Sequence, residues 1–171
     1  MTSAERQLRK LGVDVRTNTR VELIGEGYVV AGGQTIRADN IVWGAGVAAV
    51  PLAKQLGIEQ DRAGRVKVLP DCSIPGHPEV FAIGDIMTLV DAKGVTVPGV
   101  AQGAMQTGAH VARLVAREMR GEKFAPAGRE AFAYHDKGTM ATIGRSAAVA
   151  AIGKFHFSGF PAWIVWLTVH L

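Results

Sequence analysis

Two stretches decide the fold: Val80-Phe81-Ala82-Ile83-Gly84-Asp85 and, soon after it, Pro98-Gly99-Val100-Ala101-Gln102-Gly103-Ala104-Met105-Gln106. The first is an apolar run ending on a glycine and a carboxylate, which predicts a buried strand over 79–83. The second opens on a proline and continues with small and apolar residues at helical spacing. It predicts a helix from Pro98 to Met119, stopped by Gly121. A glycine at a strand end lets the backbone turn and lets a ligand come close, and a carboxylate beside it accepts bonds from hydroxyls. Alone, Asp85 reads better as a simple turn cap. The helix shifts that balance, because the N–H groups of Val100 to Gln102 would form a positive pole next to it.

Gly99, Ala101, Gly103 and Ala104 are small enough for a planar ring to lie against this helix start. Gln102 and Gln106 are four apart and share a face. Around them Ala101, Ala104, Met105 and Gly108 are small or apolar, so two amides there point to a polar ligand more than to solvent. The pair of stretches therefore predicts a site that grips the sugar chain of a flavin and caps its ring. A reduced flavin carries negative charge along its pyrimidine edge, which a helix N-terminus favours by about 0.3–1 kcal/mol. For a two-electron couple ~1 kcal/mol is roughly 20 mV, so the helix tunes a potential and does not create the chemistry.

Outward from this centre the chain alternates strands and helices. Ala4 to Leu11 predicts the last turns of a helix with Gly12 as its C-cap, and Val13 to Arg16 a strand. Val21-Glu22-Leu23-Ile24, Tyr28-Val29-Val30 and Thr35-Ile36-Arg37, parted by glycine turns, predict a β-meander. Asn40 to Trp43 predicts a buried strand running into Gly44-Ala45-Gly46. A short helix is expected over Leu52 to Leu56, a strand over Val66 to Leu69, a loop over Ser73 to Pro78 and a polar turn over Asp91 to Gly94. Phe132 to His135, Met140 to Gly144 and Ala147 to Ala150 predict short strands, and 155–171 is strongly apolar.

The bulk numbers narrow the class. The 171 residues are 48% hydrophobic and 20% charged, which excludes a disordered chain. Net charge is +4, but the basic residues are scattered and no basic run interleaves with aromatics, so nucleic-acid binding is not expected. A basic chain with an apolar end suits an anionic membrane surface better. The single Cys72 excludes an internal disulfide and a CxxC redox pair. No set of residues has metal-ligand spacing. No apolar run reaches the ~18 residues of a membrane span, and Met1 to Arg6 lacks the core of a signal peptide.

Val80 to Asp85, Ala101-Gln102-x-x-x-Gln106 and Tyr134-His135-Asp136-Lys137-Gly138-Thr139-Met140-Ala141-Thr142-Ile143-Gly144-Arg145 resemble the C-terminal half of type II NADH dehydrogenases. These are single-subunit, non-proton-pumping NADH:quinone oxidoreductases with FAD. Trp43 to Val47 and Ala162 to Leu167 fit the same family. The resemblance covers nearly the whole chain, and its most specific parts are the paired glutamines and Lys137-Gly138.

The resemblance implies an α/β chain from a flavoprotein with two dinucleotide-binding domains. Residues 1–42 would be the C-terminal part of the NADH-binding domain, 43–120 that of the FAD-binding domain, and 121–171 a quinone- and membrane-associating region. It implies FAD and NADH as cofactors, with Gly44, Ala45, Gly46, Gly84, Asp85, Ala101, Gln102, Lys137 and Gly138 at the cofactor. Asp85 would bind the ribityl chain, and Gln102 and Gln106 would border the quinone pocket. Lys137 would lie near the flavin, where a cation stabilises reduced-flavin charge. Gln102, Gln106 and Lys137 are the implied catalytic residues. Membrane quinone, NADH and the membrane surface are the implied partners, a homodimer is compatible with it, and the location would be the cytoplasmic face of the cell membrane. Phe155, Phe157, Phe160, Trp163 and Trp166 suit an interfacial segment, with Trp163, Trp166, Leu167 and His170 near helical spacing.

Gly44-Ala45-Gly46-Val47-Ala48-Ala49 matches GxGxxA after an expected strand. No βαβ unit precedes it and Pro51 starts its helix late, so it is not expected to be the primary phosphate loop. In the resembling family this segment crosses back to the FAD domain. Both dinucleotide phosphate loops are therefore expected upstream of Met1, and the apolar pattern at Leu171 is expected to continue. Two other readings stay open: a non-catalytic piece that needs a partner polypeptide, and another flavin-dependent NAD(P)H reductase of the same fold.

Overall fold

Three glycine-parted β-rich stretches and one long helix organise the chain. The structure is a computed structural model, and it describes residues 2–44, 46, 48–122 and 128–170. They form two compact units: Met1–Ala45 with Lys137–Leu171, and Gly46–Asp136. Among the described residues, 121–122 and 128–136 group with the middle of the chain and 137–170 with its start.

In the first unit, α1 (Ser3–Lys10) is capped by the Thr2 hydroxyl, which accepts from the Glu5 amide at 3.2 Å. The meander is present as expected: β1 (Val21–Gly25), β2 (Tyr28–Ala31) and β3 (Gln34–Arg37) form one antiparallel sheet through two-residue turns. A second antiparallel sheet has the order β10-β9-β8, from β8 (Thr139–Ile143), β9 (Ala147–Ile152) and β10 (Phe155–Gly159). Helix α4 (Phe160–His170) lies on it, and the contact is made of small residues, Ala148, Ala150 and Ala162, flanked by Met140 and Trp163. Alanines on alternate positions of β9 let the helix approach the sheet closely.

In the second unit, β4 (Val66–Lys67) pairs in parallel with β7 (Met87–Thr88), and β5 (Ser73–Ile74) pairs antiparallel with β6 (His77–Phe81). Helix α2 (Leu52–Gln55) and helix α3 (Ala101–Met119) complete it. One core gathers Cys72, Ala82, Met87, Leu89, Val97, Phe132 and Tyr134, and a second gathers Ala53, Val66 and Ile74.

Several expectations are corrected. Val13–Arg16 and Asn40–Trp43 form no strand; Val42 is 93% exposed, and among the described residues neither segment has a pairing partner. The expected loop over Ser73 to Pro78 is a hairpin turning at Pro75-Gly76, which draws the expected buried strand back to His77–Phe81 and leaves it largely exposed. The long helix begins at Ala101, three residues late, because the Val100 amide bonds to the Pro98 carbonyl. Phe132–His135 is not a strand, although its burial alternates: Phe132 and Tyr134 are buried, Ala131, Ala133 and His135 exposed. The apolar end, to which the sequence reading assigned no element, is β10 followed by α4.

Candidate functional site

The Gly84–Asp85 turn and the start of α3 meet in the second unit. After β6 the chain makes a single 3-10 turn, Gly84–Ile86, before β7. Gly84 has a positive φ of 70°, which a side chain resists, and a Cβ there would stand 3.2 Å from the Ala104 Cβ on α3. Its amide donates to the Thr107 hydroxyl at 3.2 Å, and that hydroxyl donates back to the Gly103 carbonyl at 2.8 Å. Thr107 is fully buried. One glycine and one threonine thus bolt the turn to the first two turns of α3.

This arrangement presents Asp85, exposed, beside the helix start. A Cβ built at Gly99 would lie 3.9 Å from Asp85 Oδ1 and 3.8 Å from a guanidinium nitrogen of Arg65. The missing side chain leaves a notch flanked by a carboxylate and a cation. Arg65 is held by Asp61 at 2.7 Å, and the Asp61 carboxyl also accepts the Ala63 and Arg65 amides. Burial pushes the Asp61 carboxyl up, but the bonds from Arg65 and Ala63 outweigh this and hold it below its ordinary value. Gly103 is small for a different reason: a Cβ there would meet the Pro98 carbonyl at 2.5 Å. Helix α3 has no side-chain cap, so its positive end is left for water or a ligand. These features fit a flavin: a carboxylate for ribityl hydroxyls, small residues for a ring, and an open helix pole for a partial negative charge.

Gly84, Asp85, Ala101, Gln102 and Gln106 therefore all belong to one unit, together with Gly46, whose Cβ position is open. Gln102 is partly buried. The Gln106 amide is engaged at both ends: Nε2 donates to the His135 carbonyl at 2.8 Å, and Oε1 accepts the His135 amide at 2.9 Å. Gly44, Lys137 and Gly138 belong to the other unit, and Ala45 lies outside the described residues. Gly138 is buried with φ 93°, and a Cβ there would meet the Ala151 carbonyl at 2.5 Å, so the position before β8 is closed to a side chain.

Sequence reasoning missed Arg65, Thr107 and the roles of Asp91 and Arg129. Asp91 is buried and accepts the amides of Val95, Lys93 and Tyr134. The bond from Val95, with those from Tyr134 and Lys93, holds its carboxyl below the ordinary range against the opposing effect of burial. Arg129 reaches Asp71 at 3.2 Å, Glu118 at 2.7 Å and the Pro78 carbonyl at 2.6 Å, and its guanidinium lies over the Phe81 ring. Aspartates before Gly-containing turns were a visible signal for Asp61 and Asp91. Nothing local marks Thr107 or Arg129. Cys72 is fully buried, and burial followed by the Asp71 charge pushes its thiol up to about 12, so it is no thiolate nucleophile.

Comparison with known proteins gives the family. Residues 2–108 match the family model described as pyridine nucleotide-disulphide oxidoreductase. The chain is 46% identical over 98% of its length to the type II NADH:quinone oxidoreductase Ndh of Mycobacterium tuberculosis, and 44% identical to NdhA of the same organism. It spans 37% of the length of each. The structure of NDH2 from Plasmodium falciparum in complex with NADH superposes with a TM-score of 0.80 at 15% identity, over 99% of this chain and 50% of that one. A NAD-dependent persulfide reductase from A. fulgidus superposes at 0.67 and 21%, over 90% of this chain and 28% of that one. With its mixed α/β fold and a family match over more than half its residues, the chain belongs to the pyridine nucleotide-disulphide oxidoreductase family.

Proposed function

We propose that this chain carries the ribityl- and ring-facing part of an FAD-dependent NADH:quinone oxidoreductase that passes electrons from NADH to a membrane quinone without pumping protons. The observation that carries this reading is the Gly84–Asp85 turn bolted to the uncapped start of α3, with Gln102 and Gln106 on the same helix. The names of the Mycobacterium tuberculosis relatives support it. FAD, when bound, supplies the two-electron carrier between the dinucleotide and the quinone. Asp85 accepts from ribityl hydroxyls, the first N–H groups of α3 face negative charge on the ring, and Gln102 borders the quinone. The inert Cys72 leaves no thiol relay in the second unit.

Access to a lipid quinone calls for a membrane-facing surface. Among the described residues no helix is long and apolar enough to cross a membrane. The first unit instead presents stacked aromatics: Phe155 on Phe157, both exposed, and the exposed Phe160 on the half-buried Trp163. An interfacial seat on the cytoplasmic face of the membrane suits them. A homodimer is compatible with such a seat.

The test is to purify the chain with added FAD, follow flavin absorbance through gel filtration, and assay NADH-dependent quinone reduction. The proposal predicts retained flavin that is lost in Asp85→Ala. Flavin held equally well by Asp85→Ala contradicts it, and a colourless chain without quinone reduction contradicts its acting alone.

A further inference from the structure

After a 3-10 position at Gly128, the stretch to Asp136 crosses the second unit without helix or strand, yet several of its residues are pinned. Arg129 is tied to Asp71, Glu118 and the Pro78 carbonyl. The Phe132 amide donates to the Pro70 carbonyl at 2.8 Å, and the Phe132 carbonyl accepts the Ala92 amide at 3.0 Å. The Tyr134 amide donates to Asp91 Oδ2 at 2.8 Å, and the Tyr134 carbonyl accepts from Lys93 Nζ at 3.1 Å. The last fastening is the Gln106–His135 pair, with one bond in each direction. Backbone groups must find partners somewhere, and here a side-chain amide does what a neighbouring strand does in a ladder.

The pairing is specific in its chemistry. A primary amide offers a donor and an acceptor on one edge, matching the N–H and C=O that one extended residue turns to the same side, and it meets His135 with both. Gln106 stands one helical turn beyond Gln102, so this fastening ends the strap on the helix that carries the candidate ring site. A glutamine spending one donor and one acceptor in this way is not free to turn that edge to a substrate.

We infer that Gln106 is a positioning residue: its amide clips the His135 peptide to α3, and its influence on the quinone step runs through the strap 128–136 and not through direct contact. This rests on the redox reading above, and it divides the two glutamines by role: Gln102 borders the quinone, while Gln106 holds the wall beside it.

The experiment has two arms. The first is residue-resolved hydrogen exchange of the intact chain, which needs neither flavin nor quinone. The His135 amide is expected to exchange about thirtyfold faster in Gln106→Ala than in the wild type, from loss of two bonds of ordinary strength. Gln106→Glu supplies a readout that mere packing would not move. A protonated carboxyl offers the same donor–acceptor edge, while a carboxylate repels the His135 carbonyl, so protection relative to wild type should return as the pH is lowered. Equal His135 exchange in wild type and Gln106→Ala overturns the clip.

The second arm is steady-state kinetics of the FAD-loaded protein with Gln106→Ala, His135→Pro and the double substitution. His135→Pro deletes the amide that Oε1 accepts and leaves the glutamine in place. Both single substitutions should raise the quinone KM several-fold with little change in kcat, and the double should be no worse than either. A KM effect in Gln106→Ala alone, or an additive double, overturns the positioning role in favour of direct contact. A protected His135 in a protein that reduces no quinone sinks the redox reading and leaves the clip standing.

Discussion

Replacing Gly84 by alanine tests how the turn is held on α3. Two costs are added. The first is conformational: at φ 70° an L-residue sits in the left-handed region, which costs roughly 1–2 kcal/mol. The second is steric: the new methyl stands 3.2 Å from the Ala104 Cβ, so α3 must give by a few tenths of an ångström. Relieving that crowding costs about 1 kcal/mol, the low end for overpacking. Gly94 provides the comparison. It lies in the same unit with φ 78°, but nothing stands within 4 Å of its Cβ position. Gly94→Ala should therefore carry only the conformational cost, ~1–2 kcal/mol, and Gly84→Ala ~2–3 kcal/mol, read as the difference in unfolding free energy in urea. In the FAD-loaded protein Gly84→Ala should also weaken flavin retention, because the shift separates Asp85 from the helix start, while Gly94→Ala should not. Equal destabilisation by the two substitutions would refute the account of the turn as a close approach.

Two further outcomes are expected. Arg129→Met removes the cation from a network in which the Arg129 and Asp71 side chains are each 6% exposed. Breaking such a buried pair from one side costs about 3–5 kcal/mol, and the lower end is expected because Asp71 keeps its bonds from the Ser73 hydroxyl and amide; a loss under ~1 kcal/mol in urea unfolding would contradict the strap's anchorage. His110 is 3% exposed, and burial, then the Arg113 charge, hold its imidazole below the ordinary value, with the Glu130 charge and carbonyl and the Asp71 charge opposing. The unfolded chain takes the proton first, near pH ~6.5, so stability should fall as the pH drops from there toward the lower folded value. His110→Leu should flatten that part of the pH–stability curve, and an unchanged slope would show that another group causes it.

The alternation of Phe132 to His135 was legible because burial does alternate there; its backbone partners were not, since they are side chains and carbonyls far away in sequence, such as Asp91 and Gln106. The apolar run 80–83 showed a turn into Gly84–Asp85 but not its burial, because a hairpin with Ser73–Ile74 takes its first half. The four-residue spacing of Gln102 and Gln106 showed a shared face. That one of the two amides is spent on a peptide 29 residues away left no trace in the local pattern. The meander and the β8–β9 hairpin were legible since their turns and pairing are local.

The claim that α3 faces both a flavin and a quinone is tested most directly by separating the two half-reactions of the FAD-loaded protein by stopped flow, in wild type and Gln102→Ala. Bleaching of the flavin by NADH should keep its rate, and its reoxidation by quinone should slow by about tenfold, the loss of one good hydrogen bond to the substrate. Equal slowing of both half-reactions, or of neither, would contradict the placement of Gln102 at the quinone.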